Sequence, residues 1–434
     1  MSIQLITVLI FGVMLLFLAS GVPMSFALGG LAAIFGYFFW GPGAIHVIIA
    51  NVSDLIRQNL LVAAPLFVYM AYMLEHSGVA EELFTTFYGI LGSLKGGLAT
   101  AVIFCSTIVA AMSGISTTGV LLMGIIALPA MLKRGYNKEL AMGSIMAGGA
   151  LGPLIPPSLI LIIYSLLSGV SIGHLFLGAV IPGLILSFLF SAYILIACYF
   201  NPKWGPALEK GELVSFKEKL ISLKGVILPV LLVLSVLGSI FFGLATPTEA
   251  AAIGAFGATL ISLFRGRLNK KVLMDTAVVT LKTIGSVMWI IFGAGCFATI
   301  YQGIGASRFI QSLVESLDVS PWVILILMQI VWIFLGCLMD CISILMITAP
   351  VFIPLATSLG FDLLWFGILF AVNTEMGYLT PPFGVNLIVM KGIVQNKYSM
   401  TEIYRGVWPF VILQFIGLVI LILFPILAMW PSII

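Results

Sequence analysis

No lysine or arginine occurs in this chain before Arg57, and apolar runs of about 16 to 30 residues follow one another along it with short polar joints. Such runs are long enough to cross a hydrocarbon core of about 30 Å. A soluble core would instead show amphipathic helices with polar outer faces. Composition points the same way: 62% of the 434 residues are hydrophobic and 8% are charged, with a mean hydropathy of +1.24. The surface must face something other than water, and the chain reads as an all-α polytopic membrane protein. The first run has no basic leader, so the first helix is expected to stay in the mature protein.

Several chemistries are not suggested. Cys105, Cys198, Cys296, Cys337 and Cys341 lie in apolar runs without a CxxC pair, so they read as packing residues. His46, His76 and His174 do not cluster, so neither metal nor haem chemistry is implied. No Walker-type Gly-x-x-x-x-Gly-Lys motif occurs, and no nucleophile and base stand out as a pair. Energy is expected from an ion gradient, with no cofactor and no nucleic-acid partner.

Hydropathy places passes near residues 3–20, 22–40, 60–75, 138–168, 174–200, 225–243, 245–264, 272–303, 363–391 and 406–430. Two further apolar blocks, 96–134 and 320–358, fold back around the tips "SGISTTG" and "LMDCIS". Ten passes put 16 of the 19 basic residues on one side, which the positive-inside rule makes the cytoplasm, with both termini outside. The base of the second block carries Asp318 and Asp362 and no Lys or Arg, so the two blocks are expected to enter from opposite sides.

Sliding the chain against itself by 225 residues puts Gly78 on Gly303, Pro129 on Pro354, Gly135 on Gly360 and Gly152 on Gly377. Leu154 then falls on Leu379, Pro156 on Pro381 and Pro157 on Pro382. Matches at Gly and Pro set backbone shape, so they carry more weight than Leu on Leu in so apolar a chain. The predicted architecture is an inverted-topology repeat, residues 1–200 and 225–434, with two re-entrant helical hairpins (96–134, 320–358) and two broken helices (138–168, 363–391). Residues 201–224, with alternating charges, read as a linker helix on the cytoplasmic surface.

The breaks are "GPLIPPS" from Gly152 and "GYLTPPFG" from Gly377. Proline removes a backbone donor and pushes the preceding residue out of the α region, so paired prolines behind a glycine unwind a helix. Freed backbone groups in hydrocarbon cost several kcal/mol each unless satisfied. Unwound carbonyls with Ser or Thr hydroxyls make a hard-oxygen cage suited to sodium, and exposed helix amino termini favour a carboxylate. The tip "MSGISTTG" offers Ser113, Ser116, Thr117 and Thr118. Pointed at the first break, Ser113 and Thr117 complete an oxygen shell with the carbonyls of Gly152, Ile155 and Pro157.

The second half is less strict. Its tip carries Asp340 and Ser343, and its break adds Asn373, Thr374, Glu375, Thr380 and Asn386. Intramembrane carboxylates are usually functional. Asp340 either holds a cation or organises the hairpin through backbone bonds, and Glu375 either contacts an ion or substrate or caps and pairs at an interface. Glu249 in "TPTEAA" reads as part of a helix cap.

Taken with "GLATPTEAAAIGA" from Gly243, the "GCLMD" run and "MGYLTPPFGVN" from Met376, these motifs resemble the large membrane subunit of TRAP transporters along nearly the whole chain. These are the tripartite ATP-independent periplasmic family. The resemblance implies an elevator-type importer in a bacterial or archaeal inner membrane, driven by sodium. Its cargo would be an organic anion such as a dicarboxylate or sugar acid, delivered by a periplasmic binding protein. It implies a small four-helix membrane subunit as a separate chain. It also implies one sodium at Ser113, Thr117, Gly152, Ile155 and Pro157 and another at Asp340, Gly377, Thr380 and Pro382. Ser116, Thr118, Asn373, Thr374, Glu375 and Asn386 are expected near the substrate. The hairpins and broken helices are expected to move as one unit against the remaining helices, with "SGVAEELFTTFYGILGS" and "QGIGASRFIQSLVESLD" as connecting arms. The alternatives are a stand-alone sodium symporter of similar architecture, or a channel or proton-coupled exchanger that would titrate Asp340 and Glu375.

Overall fold

Every apolar run folds as helix, which satisfies the backbone within the segment where no water is available to do so. The structure, a computed structural model, describes residues 2–208, 224–316, 318–395 and 397–432. Most of the expected linker helix, residues 209–223, lies outside the described residues. In chain order the helices are α1 (Ile3–Ala19), α2 (Met24–Phe35, continued by a π turn Gly36–Trp40), α3 (Ala44–Ile56), α4 (Asn59–His76), α5 (Val79–Leu91), α6 (Gly97–Ser113), α7 (Ser116–Lys133), α8 (Lys138–Ala150), α9 (Leu159–Ser168) and α10 (Ile172–Phe200). After the linker come α11 (Lys224–Phe241), α12 (Pro247–Phe264), α13 (Lys270–Gly303), α14 (Ala306–Ser316), α15 (Pro321–Gly336), α16 (Cys341–Ser358), α17 (Leu363–Leu379), α18 (Val385–Val394), α19 (Met400–Leu423) and α20 (Ile426–Met429).

Six of these are long and apolar enough to cross a membrane alone: α7, α10, α12, α13, α16 and α19. Several of the ten passes expected from hydropathy are built instead from shorter helices, α8 with α9 and α17 with α18 among them. The 225-residue offset carries over to the elements: α7 shifted by it lands on Cys341–Ser358, the bounds of α16, and α6 and α9 land within two residues of α15 and α18. The long α13 falls on α3 and α4 together, which meet at a 54° bend. Hydropathy missed α3 as an element, because Asn51, Ser53, Asp54 and Arg57 interrupt its apolar run.

The helices pack in two groups. In one, α12 lies on α4, α13 on α2, α3 and α4, and α11 on α12. In the other, α8 is enclosed by α6, α7 and α19, while α17 packs on α15, α10 and α19. The first halves of both broken spans form the centre of this second group, with Leu140–Ala150 and Leu364–Leu379 buried throughout. Glycine permits the closest approaches: a β-carbon on Gly143 would meet the Gly406 carbonyl oxygen at 2.0 Å, so α8 and α19 touch backbone to backbone. α10 and α19, expected among the static helices, pack within the second group. The groups meet where α13 touches α16 and α4 touches α6 and α9.

Several of the basic joints adjoin one another. Gly96 and Asn137 donate backbone N–H groups to the carbonyls of Gly205 and Trp204 at 2.8 and 2.9 Å, which brings Lys95, Lys138 and Lys203 into neighbouring joints. Lys138 pairs with Glu402, and Arg265 with Glu82 on α5 at 2.9 Å. The base of the second hairpin carries an aromatic cluster of Trp322, Phe361 and Trp365, residue types enriched at membrane interfaces. Glu249 forms a reciprocal capping box with Thr246 at the start of α12, as its sequence context indicates.

Candidate functional site

The first hairpin turns at Gly114 and Ile115, with Gly114 in the left-handed region at φ +61°. Its tip lies directly against the first break. A β-carbon on Gly114 would sit 2.4 Å from the Pro157 carbonyl oxygen, and one on Gly152 would sit 2.8 Å from the backbone of Ile115 and Ser116. Only glycine allows this approach, because the opposing atoms are backbone. The break is locally organised by Ser158, which caps α9 through the Leu161 N–H and donates its hydroxyl to the Pro153 carbonyl. Among the described residues no donor reaches the carbonyls of Gly152, Ile155 or Pro157. Thr117 makes no hydrogen bond there either, and Ser113 makes only long contacts to Ile115 at 3.4 and 3.5 Å. Of the predicted first cage, tip and break are in contact at Gly114 and Pro157, and its oxygens have no strong hydrogen-bond partner among the described residues.

The second half is built differently. Asp340 caps α16, with Oδ1 accepting from the N–H groups of Ile342 and Ser343 at 3.0 and 3.1 Å and Oδ2 from the Ser343 hydroxyl at 2.5 Å. Of the two roles read from sequence, its contacts are those of the hairpin organiser. The Gly377 carbonyl accepts from the Thr380 N–H, Thr380 Oγ1 donates to the Met376 carbonyl, and Tyr404 donates to the Pro382 carbonyl at 2.9 Å. The oxygens assigned to the second cage thus carry protein partners. Here Gly377 packs on the hairpin arm at Gly336 rather than on the tip. In both breaks the bond between the paired prolines is cis.

Both tips and both breaks border one cavity of about 200 Å³, to which Ser116, Pro153, Asp340 and Tyr378 contribute. Its remaining wall is Thr283 and Val287 of α13, from the other helix group. A second cavity of about 680 Å³ runs from Thr117 and Thr118 past Tyr72 and Glu75 to Gln395, beside the basic joint with Lys391 and Lys397. Thr117 borders both cavities, and the hydrogen bond between Tyr72 Oη and Thr283 Oγ1, 3.2 Å, has one member on each.

Of the residues expected near substrate, Ser116 borders the smaller cavity and Thr118 the larger. Asn386 instead accepts the Ser116 hydroxyl at 2.8 Å and donates to the Met146 carbonyl, so it ties three segments together. Asn373 donates to Gln329 on the hairpin arm and Thr374 to its own helix, both fully buried and bordering neither cavity. They point into helix packing because α17 is enclosed on all sides. Glu375 is also fully buried; it faces the backbone of Leu154 in the first break, with neither carboxyl oxygen in a well-formed hydrogen bond. Sequence reasoning missed Tyr72, Glu75, Ser158 and Thr283. Ser158 stands inside the quoted "GPLIPPS" and its capping position was legible; Thr283 in a long apolar run gave no signal.

Residues 11–427 match the family described as tripartite ATP-independent periplasmic transporter, DctM component. The chain is 32% identical over 401 residues to the C4-dicarboxylate TRAP transporter large permease protein DctM of Pseudomonas aeruginosa, covering 91% of each chain. It is 31% identical to the protein of that name from Vibrio cholerae, over 99% of this chain and 97% of that one. Among solved structures, the YdaH transporter of Alcanivorax borkumensis aligns with a TM-score of 0.61 at 16% identity, over 97% of this chain and 98% of that one, a likeness of fold. The chain belongs to the DctM family, the large permease subunits of tripartite ATP-independent periplasmic transporters.

Proposed function

We propose that the chain is the sodium-coupled transport subunit of an importer for a dicarboxylate or related organic acid in a bacterial inner membrane. The observation that supports this most is the convergence of both hairpin tips and both breaks on one cavity, beside a break whose carbonyls at Gly152, Ile155 and Pro157 accept no hydrogen bond among the described residues. Residues 1–200 and 225–434 act as inverted repeats, with both termini periplasmic. The first sodium binds at Ser113, Thr117, Gly152, Ile155 and Pro157, where a cation replaces the hydrogen bonds that the break denies. A second binds at Asp340, Gly377, Thr380 and Pro382 once the tip rearranges. The organic anion lies between the tips, where the amino terminus of α7 favours its carboxylate.

The group of α6–α10 and α15–α19 moves as an elevator against the helices around α4, α12 and α13, with α5 and α14 as arms. A separate four-helix subunit joins the static helices, and a periplasmic binding protein delivers substrate. The experiment is uptake of labelled organic acids into proteoliposomes that hold this chain, its small subunit and its binding protein, with and without an inward sodium gradient. Uptake should require all three proteins and sodium. Transport by the chain alone, or uptake that follows a proton gradient, would sink this reading.

A further inference from the structure

The two hairpin tips that border the smaller cavity differ in what they leave unpaired. At the first, no side chain caps α7, and the N–H groups of Ser116, Thr117 and Thr118 have no partner among the described residues. At the second, the protein claims every donor of the first turn of α16. Asp340 accepts from the N–H groups of Ile342 and Ser343 through its side chain and from that of Ile344 through its carbonyl, at 3.0 to 3.1 Å. The Tyr378 hydroxyl accepts from the Cys341 N–H at 3.2 Å. Asp340 and Ile115 are the N-caps of α16 and α7, and they coincide under the 225-residue offset. A carboxylate of the chain itself thus occupies the helix terminus that, by the repeat, is equivalent to the one left open at α7.

No lysine, arginine or histidine borders this cavity; Asp340 is its one charged residue, and Ile115, Leu159, Ile160, Val287, Ile342 and Val385 make most of its wall apolar. At about 200 Å³ it is smaller than the roughly 300–1,000 Å³ of sites for drug-sized ligands. A second ligand carboxylate would therefore share a small apolar space with Asp340, where like charges repel strongly. A sodium ion in the second cage cancels the Asp340 charge but leaves none over for a ligand, whereas one in the first cage balances a single carboxylate at α7. We propose that the cargo carries one carboxylate, seated at the first tip, with a small uncharged body against the apolar wall. Asp340 is then the specificity residue that excludes dicarboxylates. The inference rests on the reading of this cavity as the organic-acid site and narrows its cargo to monocarboxylates.

The test uses the full chain purified with its small subunit in nanodiscs, at saturating sodium and constant ionic strength, and reads melting temperature against ligand concentration. The probes share a four-carbon chain: succinate with two carboxylates, succinamate with one replaced by an amide, and butyrate with one replaced by a methyl group. In wild type, succinamate and butyrate should half-saturate at concentrations at least about tenfold below that of succinate. Asp340→Asn keeps the helix cap and removes the charge. It should shrink the ratio of succinate to succinamate by about tenfold, and a general loss of sodium binding would cancel from that ratio. Succinate binding as tightly as succinamate in wild type overturns the inference while leaving the organic-acid site in place. An unchanged ratio in Asp340→Asn also overturns it, because the charge would then select nothing. If Asp340→Asn does not fold, the wild-type series alone decides. If none of the three acids raises the melting temperature, the cavity is not the organic-acid site, and the inference falls with that reading.

Discussion

The hydroxyl of Ser116 donates to Oδ1 of Asn386 across 2.8 Å, and this single bond joins the tip of the first hairpin to the second half of the second broken span. Asn386 passes the link on to the Met146 carbonyl in α8, so three segments from both halves of the sequence share one buried side chain. Inter-helix hydrogen bonds in membranes average about 0.6 kcal/mol and reach about 1.7 kcal/mol. Ser116→Ala should sit near the lower figure and Asn386→Ala, which breaks both bonds, near the upper. Melting of the purified protein checks the order; equal effects would show that the Met146 contact contributes nothing.

Gly152 faces backbone, not side chain, so a methyl group there cannot be accommodated by a rotamer change. Gly152→Ala should abolish uptake and lower the melting temperature, because its β-carbon would lie 2.8 Å from the Ile115 carbon and Ser116 nitrogen. Gly285→Ala, in α13 with open space around it, is the matched control and should be neutral or slightly stabilising. A functional Gly152→Ala protein would mean that tip and break separate easily.

Much of this arrangement is legible in the sequence because glycine and proline fix backbone shape locally. The expected hairpin blocks 96–134 and 320–358 correspond to helices spanning 97–133 and 321–358, and the two "PP" breaks fall between α8 and α9 and between α17 and α18. What the sequence hides is which side chains meet across the fold. Nothing near Asn373 announces that Gln329 will accept its amide hydrogens, and hydropathy does not say that α10 and α19 pack with the hairpins.

Asp340 offers a clean separation of two roles. Asn caps a helix about as well as Asp, whereas Ala costs about 1 kcal/mol. Without sodium, Asp340→Asn should therefore melt close to wild type and Asp340→Ala lower. With sodium, Asp340→Asn should lose part of the stabilisation if the carboxylate also coordinates an ion. Identical sodium titrations for Asp340→Asn and wild type would leave capping as its whole contribution.

Tyr404 holds the Pro382 carbonyl at 2.9 Å, and that carbonyl is also a proposed ligand of the second sodium. The two uses compete if the sodium needs the lone pair that the hydroxyl occupies. A net hydrogen bond is worth about 1 kcal/mol, which corresponds to roughly fivefold in a binding constant. Tyr404→Phe keeps the ring packed and removes only the donor. The half-saturating sodium concentration for uptake should then fall by about that roughly fivefold factor. The counter-effect is loss of orientation: if the hydroxyl aims the carbonyl at the ion, Tyr404→Phe raises the requirement for sodium. Competition is favoured by the exposed position of Pro382, which leaves its carbonyl free to turn once the hydroxyl is gone. A rise in half-saturating sodium would assign Tyr404 to positioning and remove it as a competitor.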